Sequence, residues 1–248
     1  MYINSKSVYH SKNLDHNYYN RQLKKPYEST VSFFKFLNSK VNLKDKKIID
    51  LACGNGANLF YLNQNYKVAA CYGLDQNKTL LKQAKITTNR KHIKNMHFLN
   101  KNIQDHKSKI PSKLFCDGVT CIQTLSVLND YRQTILLAKK LKANFICVNS
   151  LFWDGDIDFK ISVNFLEKNL RKVQKINHYN IYSINHYKRF LQQNGYSLSY
   201  VYKFKNTKNL KTKNKSLMGS HTVQLNGKKA TKSGPLIMDW YFILSIKK

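Results

Sequence analysis

Acidic residues are scarce in this chain, which has 13 Asp and Glu against 43 Lys and Arg and a formal net charge of +30. No acidic residue occurs between Glu167 and Asp239, and lysines crowd residues 203–215. A field of this sign attracts anions such as RNA, DNA, phosphorylated sugars or acidic lipids. However, Lys and Asn abound throughout the chain, and the lysines are not interleaved with a recognisable RNA-binding motif. A functional and a merely compositional origin of the charge both stay open.

Long apolar runs and cysteine pairs are also lacking. No run of about 18 apolar residues indicates a membrane span, and the first thirty residues contain no apolar stretch typical of a signal peptide. The five cysteines form no CxxC pair, and free buried cysteines suit a reducing compartment better than a disulfide framework. We therefore expect a cytoplasmic protein with no membrane span and no metal centre.

The chain is long enough for one substantial core, because 42% of its 248 residues are hydrophobic. Apolar segments that read as buried strands alternate with segments of helical spacing, and this alternation predicts a parallel sheet covered on both faces. We predict a single domain over 1–248, with an N-terminal helical lid at about 1–40 and insertions at about 151–182 and 206–236. Helical spacing also predicts a helix over 163–173, and Asn226-Gly227 predicts a hairpin.

The clearest chemical signal is the segment DLACGNG at residues 50–56. A strand ends there, Gly54 and Gly56 turn the main chain, and a helix begins whose free N–H groups can face a ligand. A dinucleotide fingerprint requires a third glycine at position 59, which is Leu59 here. Moreover, Asp50 before the glycines would repel a pyrophosphate and suits a ligand bearing an ammonium group. The alternative is an ordinary strand-to-helix turn.

A second acid, Asp75, closes the next strand 25 positions after Asp50. A carboxylate at the tip of a neighbouring strand can accept hydrogen bonds from both hydroxyls of an adenosine ribose. Either acid alone is weak evidence, because many strands end in Asp. Together they form a joint pattern of good specificity for an adenosine-containing, cationic ligand.

These residues resemble the class I S-adenosylmethionine-dependent methyltransferases. DLACGNG is similar to the first motif of that family and GLD at 73–75 is similar to the second. The resemblance implies an α/β, Rossmann-like seven-stranded mixed sheet, mostly parallel with an antiparallel C-terminal strand, and helices on both faces. It also implies S-adenosylmethionine as cofactor. The implied binding residues of these two motifs are Asp50, Ala52, Cys53, Gly54, Gly56, Asp75 and Gln76.

Later motifs extend the resemblance. Over residues 26–246 the predicted helices and strands follow one another in the same order as in that family. Asn102 stands where the family usually has an Asp that contacts the adenine amino group, so a hydrogen-bonding group is kept and a charge is lost. Ile103 would then lie against the adenine ring, and Gln123 would line the methyl-transfer pocket. In the N-terminal lid, Tyr18, Tyr19 and Arg21 would close over the cofactor, with Arg21 binding its carboxylate. The alternative is that the side chains of Tyr18, Tyr19 and Arg21 are simply exposed on the surface.

The acceptor is predicted less directly. The segments WDGDID, NIYSINHYKRFLQQNGY and the chain end resemble bacterial methyltransferases of surface-polysaccharide or small-metabolite pathways. This resemblance implies a small-molecule acceptor and transfer to a hydroxyl of a sugar or metabolite. The alternative is an RNA methyltransferase that holds nucleic acid with its basic C-terminal portion. Amino-directed nucleic-acid enzymes often carry an NPPY-like or DPPY-like tetrapeptide where this chain has IQTL, which disfavours that subclass. A cofactor-binding protein without activity is a third alternative.

A hydroxyl acceptor requires a general base. His186 is the favoured catalytic candidate, although a histidine in a helix more often packs or caps; the others are Tyr182, His178 and Asp154. Three alternating acids follow the fifth strand, where the acceptor pocket of the family opens: Asp154, Asp156 and Asp158. They can grip a cationic acceptor or a divalent metal, or pair with nearby basic residues and shape a turn.

Overall fold

The computed structural model describes residues 16–105, 111, 114–166, 173–206, 209–210, 220–234 and 236–248. Two predicted features lie largely outside these residues, namely the first part of the N-terminal lid and the Lys-rich segment before the predicted hairpin. The structure begins with two helices, α1 and α2, and continues with alternating strands and helices. The bounds of the helices are α1 His16–Lys24, α2 Glu28–Val41, α3 Ala57–Tyr66, α4 Lys78–Arg90, α5 Arg132–Lys140 and α6 Ile184–Gln193.

Seven strands form the central sheet in the order β10-β14-β5-β4-β1-β2-β3. Their bounds are β1 Lys47–Leu51, β2 Ala70–Asp75, β3 Met96–Asn100, β4 Gly118–Ile122, β5 Phe145–Ser150, β10 Tyr196–Phe204 and β14 Trp240–Lys247. β1 to β5 are parallel to one another, and β14 runs antiparallel between β5 and β10. This arrangement confirms the predicted seven-stranded mixed sheet.

The sheet separates two hydrophobic cores. One lies under α2 and α3 and contains Phe33, Phe34 and Phe60; the other lies under α5 and α6 and contains Ile135 and Tyr187. Successive residues of a strand point to opposite faces. Strands buried on both faces therefore read as continuous apolar runs, and the few polar side chains within them become conspicuous.

Two additions to this sheet lie at the positions where insertions are predicted. The first, between β5 and α6, holds β6 Phe152–Trp153, β7 Ser162–Leu166, β8 Val173–His178 and β9 Tyr182–Ser183. The second, between β10 and β14, holds β11 Ser220–Leu225, β12 Lys228–Ser233 and β13 Leu236–Ile237. The division of the chain into one domain with a lid and two insertions stays a prediction.

The helix predicted over 163–173 is wrong for the described part of that range, because β7 and β8 pair there as antiparallel strands. The helical spacing of the local sequence is overridden by antiparallel pairing between two segments that are six residues apart in the chain. The hairpin predicted at Asn226-Gly227 is confirmed: β11 and β12 pair across it. Asn226 has φ 48° and Gly227 has φ 74°, the two left-handed residues that a two-residue hairpin turn requires.

Candidate cofactor and acceptor site

The glycine turn connects β1 to α3 at the carboxyl edge of the sheet. Gly54 has φ 56° and Gly56 has φ 80°, conformations that favour glycine because it has no Cβ. Ala52 also has a left-handed φ of 57°, and such strain in a residue other than glycine is concentrated at functional sites. The Cys53 N–H donates to the carbonyl of Leu74 at 3.1 Å, which ties the turn to the end of β2.

Tyr19 of α1 lies against this turn. A Cβ built on Gly54 would stand 2.9 Å from Cε1 of the Tyr19 ring, so only glycine permits this approach. Of the three residues predicted to form the lid, the structure thus brings Tyr19 to the site. Arg21 is exposed on α1, and the Tyr18 side chain lies outside the described part of the chain. Their closure over a cofactor stays a prediction.

Asp75 joins the tip of β2 to the glycine turn. Its Oδ2 accepts a hydrogen bond from the Gly54 N–H at 2.8 Å, and its Oδ1 accepts one from the Asn77 N–H at 2.7 Å. Asn77 in turn caps α4 through its own side chain. These bonds hold the Asp75 carboxylate in one orientation, with Gln76 beside it half-buried. Each carboxylate oxygen has more than one lone pair and can accept further hydrogen bonds.

Asp50 is buried one strand away, and its chemistry differs from that of Asp75. The Thr120 hydroxyl donates to Asp50 Oδ1 at 2.7 Å. Burial raises the pKa of Asp50 to about 7; the Thr120 hydrogen bond opposes this rise, and the negative charge of Asp75 adds to it. Near neutral pH this carboxyl group is therefore partly protonated, and a cationic ligand would favour the charged carboxylate.

The remaining cofactor residues predicted from the sequence differ in their surroundings. Asn102 is exposed after β3, and its Oδ1 accepts from the Gln104 N–H, so it shapes the turn there. Ile103 is buried in the core under α5 and α6. Gln123 follows β4 with a left-handed φ of 54°, and its Nε2 lies 3.4 Å from the Ser29 hydroxyl of α2.

The favoured catalytic candidate, His186, lies in the first turn of α6. Its Nδ1 is 3.3 Å from Asp158 Oδ1, an oxygen that also accepts the Ser183 N–H at 2.7 Å. A carboxylate in this position orients an imidazole ring and leaves Nε2 for another partner. Among the other candidates, Tyr182 donates to the carbonyl of Leu128 and is fully buried.

Two of the three acids after β5 pair through their carboxylates, and the third makes a contact only through its main chain. Asp156 pairs with Arg189 at 2.9 Å, Asp158 with His186, and the Asp154 carbonyl lies 3.5 Å from Nδ2 of Asn185. Among the described residues, no three His, Cys, Asp or Glu side chains cluster as metal ligands would. The pairing alternative is therefore the one that the geometry favours.

The two additions close over the carboxyl edge beside β4 and β5. In the first addition, the Asn180 N–H donates to the carbonyl of Ser126 at 2.6 Å, and Asn180 Nδ2 donates to the carbonyl of Leu128 at 2.8 Å. In the second, a Cβ on Gly234 would lie 2.9 Å from the Tyr179 ring. The two additions therefore meet each other above the end of the sheet.

The residues present fit S-adenosylmethionine. The rings of Tyr19 and Phe98 fill the space beside Gly54 and Gly56. Asp75 would accept hydrogen bonds from ribose hydroxyls, and Asp50 would balance a positive charge. Asn55 within the turn is 1% exposed, and its Nδ2 has no hydrogen-bond partner among the described residues. Such an unpaired donor suits the carboxylate of a bound amino acid. The sheet order and this turn are the features that the resemblance to the class I methyltransferases implies.

The comparisons with known proteins give the family. Residues 42–230 match the family described as a methyltransferase domain, and the chain belongs to that family. A protein of Invertebrate iridescent virus 6 named as a methyltransferase is 34% identical over 94 residues, which are 36% of this chain and 35% of that protein. The chain thus matches about a third of the length of this relative.

Solved structures support the fold. A methyltransferase from Clostridium acetobutylicum has a TM-score of 0.57 at 12% identity, covering 94% of this chain and 97% of that one. A methyltransferase from Aquifex aeolicus has a TM-score of 0.53 at 13% identity, covering 92% and 97%. At such identities the likeness shows the fold alone. No helix of the described residues is long and apolar enough to cross a bilayer.

Several site residues are missed by reading the sequence. Thr120 and Ser29 lie in ordinary strand and helix patterns, and only the sheet register and α2 bring them to Asp50 and Gln123. Asn149 of β5 interrupts an apolar strand, and Asn55 stands between the two glycines. A polar residue within a strand of the central sheet is the one signal that sequence reading could have used for Thr120 and Asn149.

Proposed function

We propose that this protein transfers the methyl group of S-adenosylmethionine to a small neutral acceptor, a hydroxyl of a sugar or metabolite. The observation that carries the acceptor class is the closure of the carboxyl edge by the two additions, which meet at Tyr179 and Gly234. A covered edge admits a small molecule more readily than a folded polymer. It also excludes water, which matters because methyl transfer depends mainly on alignment of donor and acceptor.

The cofactor residues act by binding and orientation. Asp50, Ala52, Cys53, Gly54, Gly56, Asp75 and Gln76 would hold the cofactor from the glycine turn to the tip of β2. Asn102 and Ile103 would lie at the adenine end, and Gln123 near the methyl group, with Arg21 and Tyr19 covering the turn. The bound cofactor supplies an activated methyl group on a sulfonium. The protein then has to present the acceptor oxygen and remove its proton.

The acceptor class is tested by incubating the protein with S-adenosylmethionine that carries a radiolabelled methyl group. The probes are D-glucose, D-galactose and L-rhamnose as neutral hydroxyl acceptors, sarcosine as an amine, and a short single-stranded RNA. We expect label on a sugar. Label on RNA alone would contradict the small acceptor and support the RNA alternative, for which Lys228 and Lys229, both exposed on β12, provide cationic groups.

His186 is proposed as the general base for a hydroxyl acceptor, oriented by Asp158. We expect His186→Ala to lower kcat about 100-fold, because positioned proton transfer contributes roughly that much or more. Affinity for S-adenosylhomocysteine should stay unchanged in calorimetry. Lys188→Ala, an exposed position on the same helix, is the matched control. An unchanged kcat for His186→Ala would assign the imidazole to packing and capping of α6.

A further inference from the structure

Asn149 is a fully buried amide whose polar atoms are unsatisfied. The residue is 0% exposed, and neither Nδ2 nor Oδ1 has a hydrogen-bond partner in the part of the chain that the structure describes. Most buried polar groups in native proteins are paired, and an unpaired one costs free energy. A buried amide that has no partner in the folded chain is available to pair with a group of a bound ligand.

The position of Asn149 places it on the face of the sheet that carries Asp50. On β5, Phe145 and Cys147 belong to the core under α2 and α3, and residues two apart share a face. The Asn149 side chain therefore lies on that face as well. Its partners across the sheet are Ile122 of β4 and Phe242 of β14, so apolar side chains flank it on both sides.

Asn149 is also linked to the predicted methyl-transfer pocket. Its carbonyl accepts a hydrogen bond from the Gln123 N–H at 2.8 Å, and the Gln123 side chain reaches Ser29 at 3.4 Å. That distance is long for a hydrogen bond, so the contact between α2 and the end of β4 is a weak one. Polar groups of β4, β5 and α2 thus meet at the carboxyl edge of the sheet. The residues that supply them are all uncharged: Gln123, Asn149 and Ser29.

We propose that Asn149 determines acceptor specificity by hydrogen bonding to a hydroxyl of a neutral acceptor. This inference rests on the proposed function and names the residue that selects the substrate. An amide offers both a donor and an acceptor, which matches a hydroxyl group. A fully buried, uncharged site disfavours a charged acceptor, because burial of an unpaired charge is costly.

The first test is the stability of the ligand-free protein, measured by urea unfolding. Asn149→Leu keeps the branched shape of the side chain and removes no hydrogen bond of the free chain, so we expect a midpoint equal to or above that of the wild type. Thr120→Val, which removes the hydrogen bond to Asp50, should lower the midpoint and serves as the control. A drop for Asn149→Leu as large as that for Thr120→Val would show a structural role and overturn the inference.

The second test is methyl transfer to D-glucose, D-galactose and L-rhamnose. We expect Asn149→Leu to lower kcat/KM at least about 100-fold, because a site built to bind a hydroxyl discriminates strongly when the pairing is lost. Its affinity for S-adenosylhomocysteine should stay within about twofold of the wild type. Transfer by Asn149→Leu at the wild-type rate would overturn the inference and leave the proposed function intact.

Two further outcomes separate the inference from the function on which it rests. Wild-type protein that binds S-adenosylhomocysteine but methylates sarcosine and none of the three sugars would overturn the neutral-acceptor role of Asn149. Wild-type protein that is folded and binds neither S-adenosylmethionine nor S-adenosylhomocysteine would overturn the proposed function itself.

Discussion

Replacement of Asp75 with alanine is expected to weaken binding of S-adenosylmethionine at least about 100-fold. The carboxylate is oriented by the N–H groups of Gly54 and Asn77 and would accept hydrogen bonds from two ribose hydroxyls. A hydrogen bond to a charged group is worth about 1.5–3 kcal/mol, so the loss of two corresponds to at least about 100-fold in affinity. Calorimetric titration at constant pH and salt measures this loss.

Two variants sharpen the Asp75 experiment. Asp75→Asn keeps one oxygen as an acceptor and should lose less affinity than Asp75→Ala. Asp45→Asn removes the same charge from an exposed residue before β1, at the opposite edge of the sheet, and should bind as the wild type does. Unchanged binding by a folded Asp75→Ala protein would show that the cofactor is held elsewhere.

Cofactor binding is expected to depend on pH through Asp50. Because burial raises the pKa of Asp50 to about 7, the free protein holds a proton there below neutral pH. A cationic ligand favours the charged carboxylate, so binding must release that proton. We expect affinity for S-adenosylmethionine to weaken by up to about tenfold per pH unit below pH 7 and to level off above it. Titrations between pH 5.5 and 8.5 measure the profile.

Asp50→Asn provides the comparison for this profile. The asparagine oxygen can still accept the Thr120 hydroxyl, so the change removes the charge with little change of shape. We expect weak binding that no longer varies with pH in this range. A wild-type profile that is flat, or a variant profile that keeps the same slope, would show that another group controls the pH dependence.

The same raised pKa has a consequence for stability. The unfolded chain releases this proton near pH 3.8 and the folded chain near pH 7, so the folded state binds more protons between these values. The free energy of unfolding contributed by Asp50 therefore falls as the pH rises from about 4 to about 7. The free energy of unfolding of Asp50→Asn, relative to that of the wild type, should therefore rise over this pH interval and stay constant above it. Urea unfolding of both proteins at pH 5 and pH 8 measures the difference.

The parts of the fold that follow from local pattern could be predicted from the sequence. Strands buried on both faces are read from apolar runs such as 145–148, and the hairpin at Asn226-Gly227 from its turn residues. The strands β7 and β8 could not be predicted in this way, because the six residues between them contain no glycine or proline that would signal a turn. Helical spacing in 163–173 competes with that pairing, and the tertiary contacts decide.

The candidate site, like the fold, could be predicted from the sequence only in part. Asp50, the glycine turn and Asp75 are recognisable because their spacing is local to two consecutive strand ends. By contrast, Asn149 becomes informative only when its burial and its missing partners are known. The approach of Tyr19 to Gly54 depends on the path of the chain before α2, and no periodicity in the sequence encodes that path. The cofactor residues at the carboxyl edge of the sheet can thus be predicted from the sequence. The proposed acceptor residues there are recognised only from the structure.

The most direct test of the account is calorimetric titration of the wild-type protein with S-adenosylmethionine and S-adenosylhomocysteine at pH 8. We expect one binding site per chain for each ligand, with dissociation constants on the order of micromolar. No heat and no thermal stabilisation at millimolar ligand, from a chain shown to be folded, would contradict it. The turn at Asp50–Gly56 would then be a connection between β1 and α3 without a cofactor role.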